Sequence, residues 1–426
     1  MKKAVDQIRC NAEFQEAQDG RLFFDQSLAK FTDLSAVRIL RCGVDTVRQH
    51  YAGLLRPELL ALFEGKPAMV DFAGYRFHAS RVGRDSGYQF KLQNSDLGFV
   101  LLLKNFNCKI DVIGPHLKIE VSPHAIDSHD PERLQAILDR LADEAMTALE
   151  PRQCAVHIAL DFQGWRPTED FSSRLHCKAT MRRRIDGIET IEWGGKAAIY
   201  GCAETFMYGS AGACQMSLYN KTAQARSIDK LDWWQGVWKR RDSFDLDDPL
   251  NYDPEQDVWR LEFRFHHSVV QQFADGSASA VSGAFIETRT FAEFAPHLDG
   301  LWRYGLGNFR YLSRPGVLDP LWTLFRQDVA VETGVSSLVD ETVYVRNYKT
   351  ANGFSGKNID LMVGNAISLA ARHKVGAKKT LEALRGLPFW AVIQEYYHAK
   401  EMTDGDIYKM IKERLEERTV RWGRAV

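Results

Sequence analysis

Three short segments of the sequence carry side chains suited to chemistry on a phosphodiester. Tyr219 and Lys221 follow a polar, glycine-rich turn in "MYGSAGACQMSLYNK". His157 and Asp161 lie in "VHIALDFQ", and Glu262 lies in "WRLEFRF". Two carboxylates with an imidazole suit a divalent cation such as Mg²⁺ or Mn²⁺, and a tyrosine hydroxyl beside them is a potential nucleophile. The residue types therefore indicate metal-assisted catalysis, with Lys221 offsetting charge on the phosphate oxygens.

Strand alternation decides whether these side chains can meet. In each segment, apolar residues alternate with polar ones, which assigns the polar side chains to one face of a strand. If the apolar faces share one core, the polar faces form a single surface that carries all five groups. The alternative is an ordinary half-exposed antiparallel sheet, in which Glu262, between Arg260 and Arg264, belongs to a surface charge ladder.

The elements that would position this surface form two strand-rich blocks and a helical tail. Strand-like segments separated by Gly, Asp and Asn turns fill residues 36–125, and a helix is predicted to start at the capping residue Asp130. A second strand-rich block begins at "AVHIALDFQGW". The pattern predicts an α+β protein with two consecutive antiparallel-sheet modules, packed helices and a helical C-terminal region. The predicted boundaries are 1–150 for the N-terminal module, 151–285 for the catalytic module and 286–426 for the helical region.

The two strand-rich blocks resemble each other in order. "VRILRCGVDTV" aligns with "VHIALDFQGW", "YQFKLQN" with "CQMSLYN", and "HLKIEVSPH" with "WRLEFRFHH". In this alignment Glu120 matches Glu262, whereas Gln93 stands where Tyr219 stands. The hypothesis is a duplicated module in which only the second copy keeps the chemistry.

The composition is that of an ordinary globular protein. The chain has 426 residues, of which 45% are hydrophobic and 26% charged, which is enough for two or three domains. No apolar run approaches the roughly 20 residues of a membrane-spanning helix, and the first residues lack the hydrophobic region of a signal peptide. The seven cysteines form no close pair, so neither a disulfide framework nor a thiolate zinc site is indicated. We therefore expect a cytoplasmic protein without membrane contact.

Binding to nucleic acid would have to come from local basic patches, because the net charge is −1. Arginines of the "MRRRIDG" segment are candidates for phosphate contact, and the "DWWQGVWKRR" segment combines cations with rings on which bases could stack. Core or lid packing is the competing interpretation of the tryptophans, and a solvated face that of the arginines. The candidate DNA-binding residues are Arg182, Arg183, Arg184, Trp233, Trp234, Lys239, Arg240 and Arg241.

The segment "FMYGSAGACQMSLYNKTAQA", preceded by "HIALDF" and followed by "WRLEFRF", resembles the replication initiation factor family. That family contains rolling-circle initiators of plasmids and filamentous phages, with related relaxases. The resemblance covers roughly residues 36–270 and is greatest to the filamentous-phage branch. It implies that Tyr219 is the nucleophile, that Asp161 and Glu262 are metal ligands, and that Gly209 and Ser210 shape the preceding turn.

The sequence departs from the family pattern at two positions. Asn220 replaces the usual acidic neighbour of the tyrosine, and His157 stands where the first Asp of the earlier strand is expected. An amide oxygen and a ring nitrogen can still bind a metal, so the predicted ligands are Asp161, Glu262, Asn220 and His157. A second tyrosine could take part in strand transfer, but Tyr208 and Tyr200 are better explained as structural.

The implied activity is rolling-circle initiation by transesterification. The enzyme would nick one strand at an origin, form a 5′-phosphotyrosine, leave a 3′ hydroxyl for a polymerase and later rejoin the DNA. Two rival functions stay open: a hydrolytic metal-dependent nuclease, and a non-catalytic origin-binding or repressor protein. The basic helical tail suits either duplex DNA or a host replicative helicase. The sequence does not choose between a monomer and a homodimer.

Overall fold

The computed structural model describes most of the chain. The chain separates into two compact units, residues 1–346 and 347–426. The described residues are 17–18, 21–25, 29–83, 86–179, 181–191, 197–240, 251–347, 356–400 and 402–422.

The strands, in chain order, are β1 (Ala17–Gln18), β2 (Leu22–Asp25), β3 (Lys30–Asp33), β4 (Arg38–Leu55), β5 (Ala68–Phe72), β6 (Tyr75–Arg81), β7 (Tyr88–Asn94), β8 (Phe99–Asn105), β9 (Gly114–Val121), β10 (Met146–Gln163), β11 (Leu175–Cys177), β12 (Arg182–Ile191), β13 (Ala197–Gly209), β14 (Cys214–Asn220), β15 (Trp259–Phe265), β16 (Ala278–Ser279), β17 (Phe309–Arg314), β18 (Val317–Leu318) and β19 (Thr342–Val343). The helices are α1 (Pro57–Ala61), α2 (Pro123–Asp127), α3 (Pro131–Ala145), α4 (Phe171–Arg174), α5 (Lys221–Ser227), α6 (Leu231–Lys239), α7 (His267–Ala274), α8 (Phe291–Phe294), α9 (Leu298–Asn308), α10 (Pro320–Gln327), α11 (Gly356–Arg372), α12 (Ala377–Arg385), α13 (Trp390–His398) and α14 (Asp404–Trp422), with short 3₁₀ turns at Ala295–His297 and Val339–Glu341.

One long antiparallel sheet organises the first unit. Its eleven strands run in the order β12-β13-β14-β15-β10-β4-β9-β8-β7-β6-β5. The predicted apolar faces, including Ile158, Leu160 and Phe263, are buried in one core together with residues of α3, α9 and α10. The helix predicted at Asp130 is α3, whose first turn is capped by the Asp130 side chain accepting from the Arg133 amide. These features confirm the predicted α+β class.

The sheet is symmetric in strand order about its central pair, β4 and β10. Outward from the centre, β4 is followed by β9 and then β8, and β10 is followed by β15 and then β14. Val47 and Val156 lie opposite each other at the centre, and their partners on β9 and β15 are Val121 and Phe265. This arrangement is the one expected of a duplicated module.

The pairing register corrects the alignment proposed from the sequence. The counterpart of β14 is β8 rather than "YQFKLQN" of β7, because β8 and β14 pair with the equivalent strands β9 and β15. Equivalent positions follow by counting from Val47 and Val156: Arg48 corresponds to His157, Glu120 to Arg264, and Lys118 to Glu262. Glu120 therefore does not match Glu262.

The division of the chain also differs from the predicted modules. Strands of both strand-rich blocks share one sheet and one hydrophobic core, and residues 286–346 belong to the same compact unit. Alternation within a strand shows which face is buried, but it does not show that β4 pairs with β10. The boundary at 285/286 is therefore replaced by one at 346/347.

The second unit consists of α11 to α14 around a core of its own. Ile407 and Ile411 of α14 are buried in this core, and Met410 and Leu415 pack against it, so these residues form the packing face of the helix. Across the described parts of both units, no helix combines the length and the apolar character needed to cross a membrane.

Candidate active site around Tyr219

A tight hairpin presents Tyr219. Strands β13 and β14 are joined by residues 210–213, and the Ala213 amide donates to the Ser210 carbonyl. Gly209, at the start of this turn, has a φ of +91°, and a β-carbon there would lie 2.3 Å from the carbonyl oxygen of Cys214. Because a residue with a side chain fits neither this backbone conformation nor this space, the glycine is required.

Replacing Gly209 with alanine should therefore lower the free energy of unfolding by at least about 2 kcal/mol. Gly212→Ala is the matched control, since a β-carbon at Gly212 would meet no atom within 4 Å. Chemical denaturation of both variants measures the difference. Equal stabilities would contradict the close approach at Gly209.

The hydroxyl of Tyr219 donates to Oε2 of Glu262 at 3.0 Å, although the two residues are 43 positions apart in the chain. The same carboxylate accepts from Nε of Arg264 at 2.7 Å, and Nδ1 of His157 lies 3.3 Å from its Oε1. All four residues are buried. The predicted polar face of β10, β14 and β15 thus brings Tyr219, His157 and Glu262 together.

Asp45 completes this cluster, although the alternation of polar and apolar residues does not single it out. Ligand atoms of Asp45, His157 and Glu262 all lie within 4.8 Å of one another. The pairing of β4 with β10 passes from Thr46 opposite His157 to Val44 opposite Ile158, so Asp45 is the extra residue of a β-bulge. A bulge breaks the two-residue alternation on which the face assignment rests. The one indication in the sequence is that Asp45 is an acidic residue in a segment that aligns with the segment containing Asp161.

Asp161 lies outside the cluster of potential ligand atoms formed by Asp45, His157 and Glu262, which corrects its predicted role as a metal ligand. Asp161 is fully buried, and its Oδ1 and Oδ2 accept from Nε and Nη2 of Arg260 at 2.6 and 2.7 Å. Oδ2 also accepts from the indole of Trp238 at 2.9 Å. Both oxygens are therefore engaged, and Arg260 bridges Asp161 to Asp45. Burial opposes ionisation of Asp161, but Arg260 holds the pKa of this carboxyl below its usual range.

Asn220 is also not placed as a ligand. Its side-chain oxygen caps α5 by accepting from the Ala223 amide, and its Nδ2 donates to Asp257 at 2.8 Å. Ser, Thr, Asn and Asp are favoured at this position because their side chains accept from free amides at a helix start. The amide at Asn220 therefore serves the fold of the segment that follows Tyr219.

Lys221 is buried beneath α6 rather than open to a substrate. Its ammonium group donates to Oε1 of Gln224 at 2.7 Å and lies 4.2 Å from the ring centre of Trp234. Burial, followed by the charge of Arg260, lowers the pKa of Lys221 to about 7. The lysine contributes to the electrostatics of the site from behind this cover.

The candidate DNA-binding residues divide into buried and exposed groups. Trp234 of α6 is 2% exposed and packs with Trp238 in a buried cluster, which favours core or lid packing; Trp233 is half-buried. Lys239 and Arg240, at the end of α6, are exposed, whereas Arg241 lies outside the described residues. Arg182, Arg183 and Arg184 are exposed on the edge strand β12. Five of the eight candidates are therefore cations on the surface.

The other tyrosines near the hairpin have different positions. Tyr208 is buried in the main core and its hydroxyl donates to Ser172 at 2.8 Å. The side chain of Tyr200 lies outside the part of the chain whose side chains are described. Tyr208 thus serves as a structural residue.

The residue types of Asp45, His157 and Glu262 suit a divalent cation of the Mg²⁺ or Mn²⁺ kind, since two carboxylates and an imidazole come within 4.8 Å of one another. Arg260 pairs with Asp45 and Arg264 with Glu262, so a bound cation would share these carboxylates with the two arginines. Burial, followed by the charge of Glu262, raises the pKa of Tyr219 well above its ordinary value. The tyrosine therefore holds its proton more firmly than an exposed phenol does.

Comparisons with known proteins yield a phage relative. No protein-family model matches the chain, and no solved structure matches it. The chain is 51% identical over 418 residues to "Uncharacterized protein ORF430" of Pseudomonas phage Pf1, a match that covers 98% of this chain and 97% of ORF430. The protein therefore belongs to the same family as ORF430 of Pseudomonas phage Pf1.

Proposed function

We propose that the protein is a rolling-circle replication initiator that nicks one DNA strand at an origin and later rejoins it. The observation that carries the proposal is the buried hydrogen bond from Tyr219 to Glu262, beside His157 and Asp45. A tyrosine paired with a carboxylate and surrounded by cations suits attack on a phosphodiester. A phage-encoded relative agrees with the resemblance to phage initiators.

In the proposed step, the Tyr219 oxygen attacks phosphorus while the bond from phosphorus to the 3′ oxygen breaks. The DNA becomes linked to the tyrosine through its 5′ phosphate, and the leaving oxygen takes a proton to become a free 3′ hydroxyl. The hydrogen bond to Oε2 of Glu262 at 3.0 Å orients the phenol. Burial opposes ionisation of Glu262, but Arg264 and His157 hold the pKa of this carboxyl well below its usual range, so the phenol proton passes to water rather than to Glu262. Rejoining is the reverse reaction, with a 3′ hydroxyl attacking the phosphotyrosine.

Positive charge around the tyrosine would stabilise the transition state. Arg264 and Arg260 are both buried close to the carboxylates, and each has its pKa held above the usual range by those carboxylates, against the effect of burial. A divalent cation held by Asp45, His157 and Glu262 would polarise the phosphodiester. Mg²⁺ and Mn²⁺ are the proposed cofactors.

The proposal includes partners and a cellular location. The exposed arginines of β12 and the cations at the end of α6 would hold single-stranded or melted origin DNA. An initiator of this type would act in the cytoplasm, together with a host polymerase and replicative helicase.

The decisive experiment compares the wild type with Tyr219→Phe. Each protein is incubated with Mn²⁺ or Mg²⁺ and labelled single-stranded DNA from its own replicon, and the denatured protein is examined for retained label. Adduct formation should be lost completely in Tyr219→Phe, because phenylalanine has no attacking oxygen. Tyr208→Phe is the matched control, since Tyr208 is a buried tyrosine of the neighbouring strand, and it should keep the adduct.

The rival functions give different results in the same experiment. Cleavage that leaves no label on the protein, and that survives Tyr219→Phe, would assign a hydrolytic nuclease. Binding without cleavage of an origin-bearing substrate would assign a non-catalytic origin-binding protein.

A further inference from the structure

A basic cavity adjoins the candidate active site on the polar face of the sheet. Its volume is about 110 Å³, and it lies where β4, β9, β10 and β15 meet the start of α7. His157 and Arg264 line the cavity and also contact Glu262, so the two sites share a wall. Arg48 and Lys118 line it from the N-terminal half of the sheet, and His266 and His267 line it from the start of α7.

All the ionisable side chains that line this cavity are basic. It consists of two arginines, one lysine and four histidines, with no carboxylate. Glu120 pairs with Lys118 at 2.7 Å and with Arg48 at 3.4 Å, but it does not line the cavity. An anion placed inside would therefore face three cations, which outnumber the two carboxylates, Glu120 and Glu262, that pair with them.

The histidines at the start of α7 add to this preference. His266 caps the eight-residue helix, and His267 is its first residue. The partial positive charge of a helix start favours anions. In addition, Nδ1 of His267 is buried and has no hydrogen-bond partner among the described residues. In the tautomer that has the ring proton on Nδ1, this nitrogen would donate a hydrogen bond to a ligand with acceptor atoms.

The symmetry of the sheet explains why an anion site borders a cation site. Arg48 occupies the position in the N-terminal half that His157 occupies in the C-terminal half, and Lys118 occupies that of Glu262. At the two positions where the C-terminal half carries the candidate metal ligands His157 and Glu262, the N-terminal half therefore carries the positively charged side chains of Arg48 and Lys118. The N-terminal half has the charge required to hold an anion beside the metal-ligand cluster.

The size of the cavity limits the ligand. A water molecule in the liquid takes up roughly 30 Å³, so the cavity has room for roughly three or four waters. A single phosphate group fits this volume.

We propose that this cavity is a subsite for a phosphate group of the DNA strand, next to the phosphodiester that Tyr219 attacks. The inference rests on the proposed function, because it places the strand across the wall formed by His157 and Arg264. One phosphate would lie in the basic cavity while its neighbour lies at Tyr219. The subsite would thereby fix the position of the strand along the active site.

Ala211 offers a test that leaves the fold undisturbed. This residue lines the cavity from the exposed turn between β13 and β14. Ala211→Glu adds a negative charge at the cavity, and Ala211→Gln adds a neutral side chain of similar size. Both changes are made in the full chain with Tyr219→Phe, without metal, so that no cleavage can occur. Circular dichroism and melting curves verify that both variants fold like the parent protein.

Binding is measured by fluorescence anisotropy with a labelled ten-residue oligothymidylate, and by calorimetry with inorganic phosphate. Ala211→Glu should weaken the oligonucleotide affinity at least fivefold at low salt, because a carboxylate in the cavity repels a phosphate. Ala211→Gln should stay within about twofold of the parent, since it adds no charge. Lys118→Gln should weaken binding in the same direction as Ala211→Glu.

Equal oligonucleotide affinities for Ala211→Glu and Ala211→Gln would overturn the proposal. A second result would also overturn it: Ala211→Glu weakens the affinity for inorganic phosphate but leaves the affinity for the oligonucleotide unchanged. The cavity would then hold a free ion rather than the strand. The result is separate from the test of the proposed function. A covalent adduct with no effect of Ala211→Glu removes the subsite alone, and an effect of Ala211→Glu without any adduct leaves the subsite on a protein that binds DNA but does not nick it.

Discussion

Asp161→Ala is expected to lower the free energy of unfolding by about 3–5 kcal/mol, because it removes one partner of a fully buried ion pair. Asp161 and Arg260 are both 0% exposed, and the guanidinium makes two hydrogen bonds to this carboxylate. After the substitution, Arg260 keeps Asp45 as an anionic partner, but two of its donors lose their acceptors. Trp238 loses the acceptor of its indole as well.

The measurement is denaturant unfolding, with Asp257→Ala as the control. Asp257 is exposed on the segment before β15, so its replacement should change stability by no more than about 0.5 kcal/mol. If Asp161→Ala does not fold, Asp161→Asn keeps the shape of the side chain and should show a smaller loss in the same direction. A loss below about 1 kcal/mol in Asp161→Ala would show that the pair with Arg260 is not formed in the folded protein.

The second large effect is expected on metal binding. Asp45→Asn and Glu262→Gln should each weaken Mn²⁺ affinity by about a hundredfold or more, because each removes a charged ligand from a three-residue cluster. Mn²⁺ binding to the full chain can be followed by electron paramagnetic resonance. The substitutions keep the size of each side chain, which separates the loss of charge from a change in packing.

Asp257→Asn is the matched control for this measurement. It removes an exposed carboxylate that accepts from Asn220, and it should leave Mn²⁺ affinity unchanged. Unchanged affinity in Asp45→Asn as well would locate the ion elsewhere and return Asp161 to consideration. Loss of binding in both Asp45→Asn and Glu262→Gln, together with loss of nicking, would assign the cluster to the proposed reaction.

Local sequence patterns were enough to predict the faces of the strands and the contacts among Tyr219, His157 and Glu262. Alternation in "VHIALDFQ" and "WRLEFRF" separates the buried face from the polar face because a strand turns its side chains over with a period of two. Tyr219, His157 and Glu262 meet as expected, since their strands pair in the same sheet with these side chains on one side. The start of α3 at Asp130 was predictable as well, because capping depends only on neighbouring residues.

Tertiary structure decided the partners of the charged groups. Alternation cannot reveal the bulge that turns Asp45 toward His157 and Glu262, because a bulge depends on how β4 and β10 pair. The engagement of Asp161 by Arg260 and Trp238 depends on contacts across the sheet and on the cover formed by α6. The basic cavity arises because strands from both halves of the sheet meet there, which joins residues as distant in the chain as Arg48 and His267. Such contacts have no local period, so the residues that hold the site in place became visible only in the folded chain.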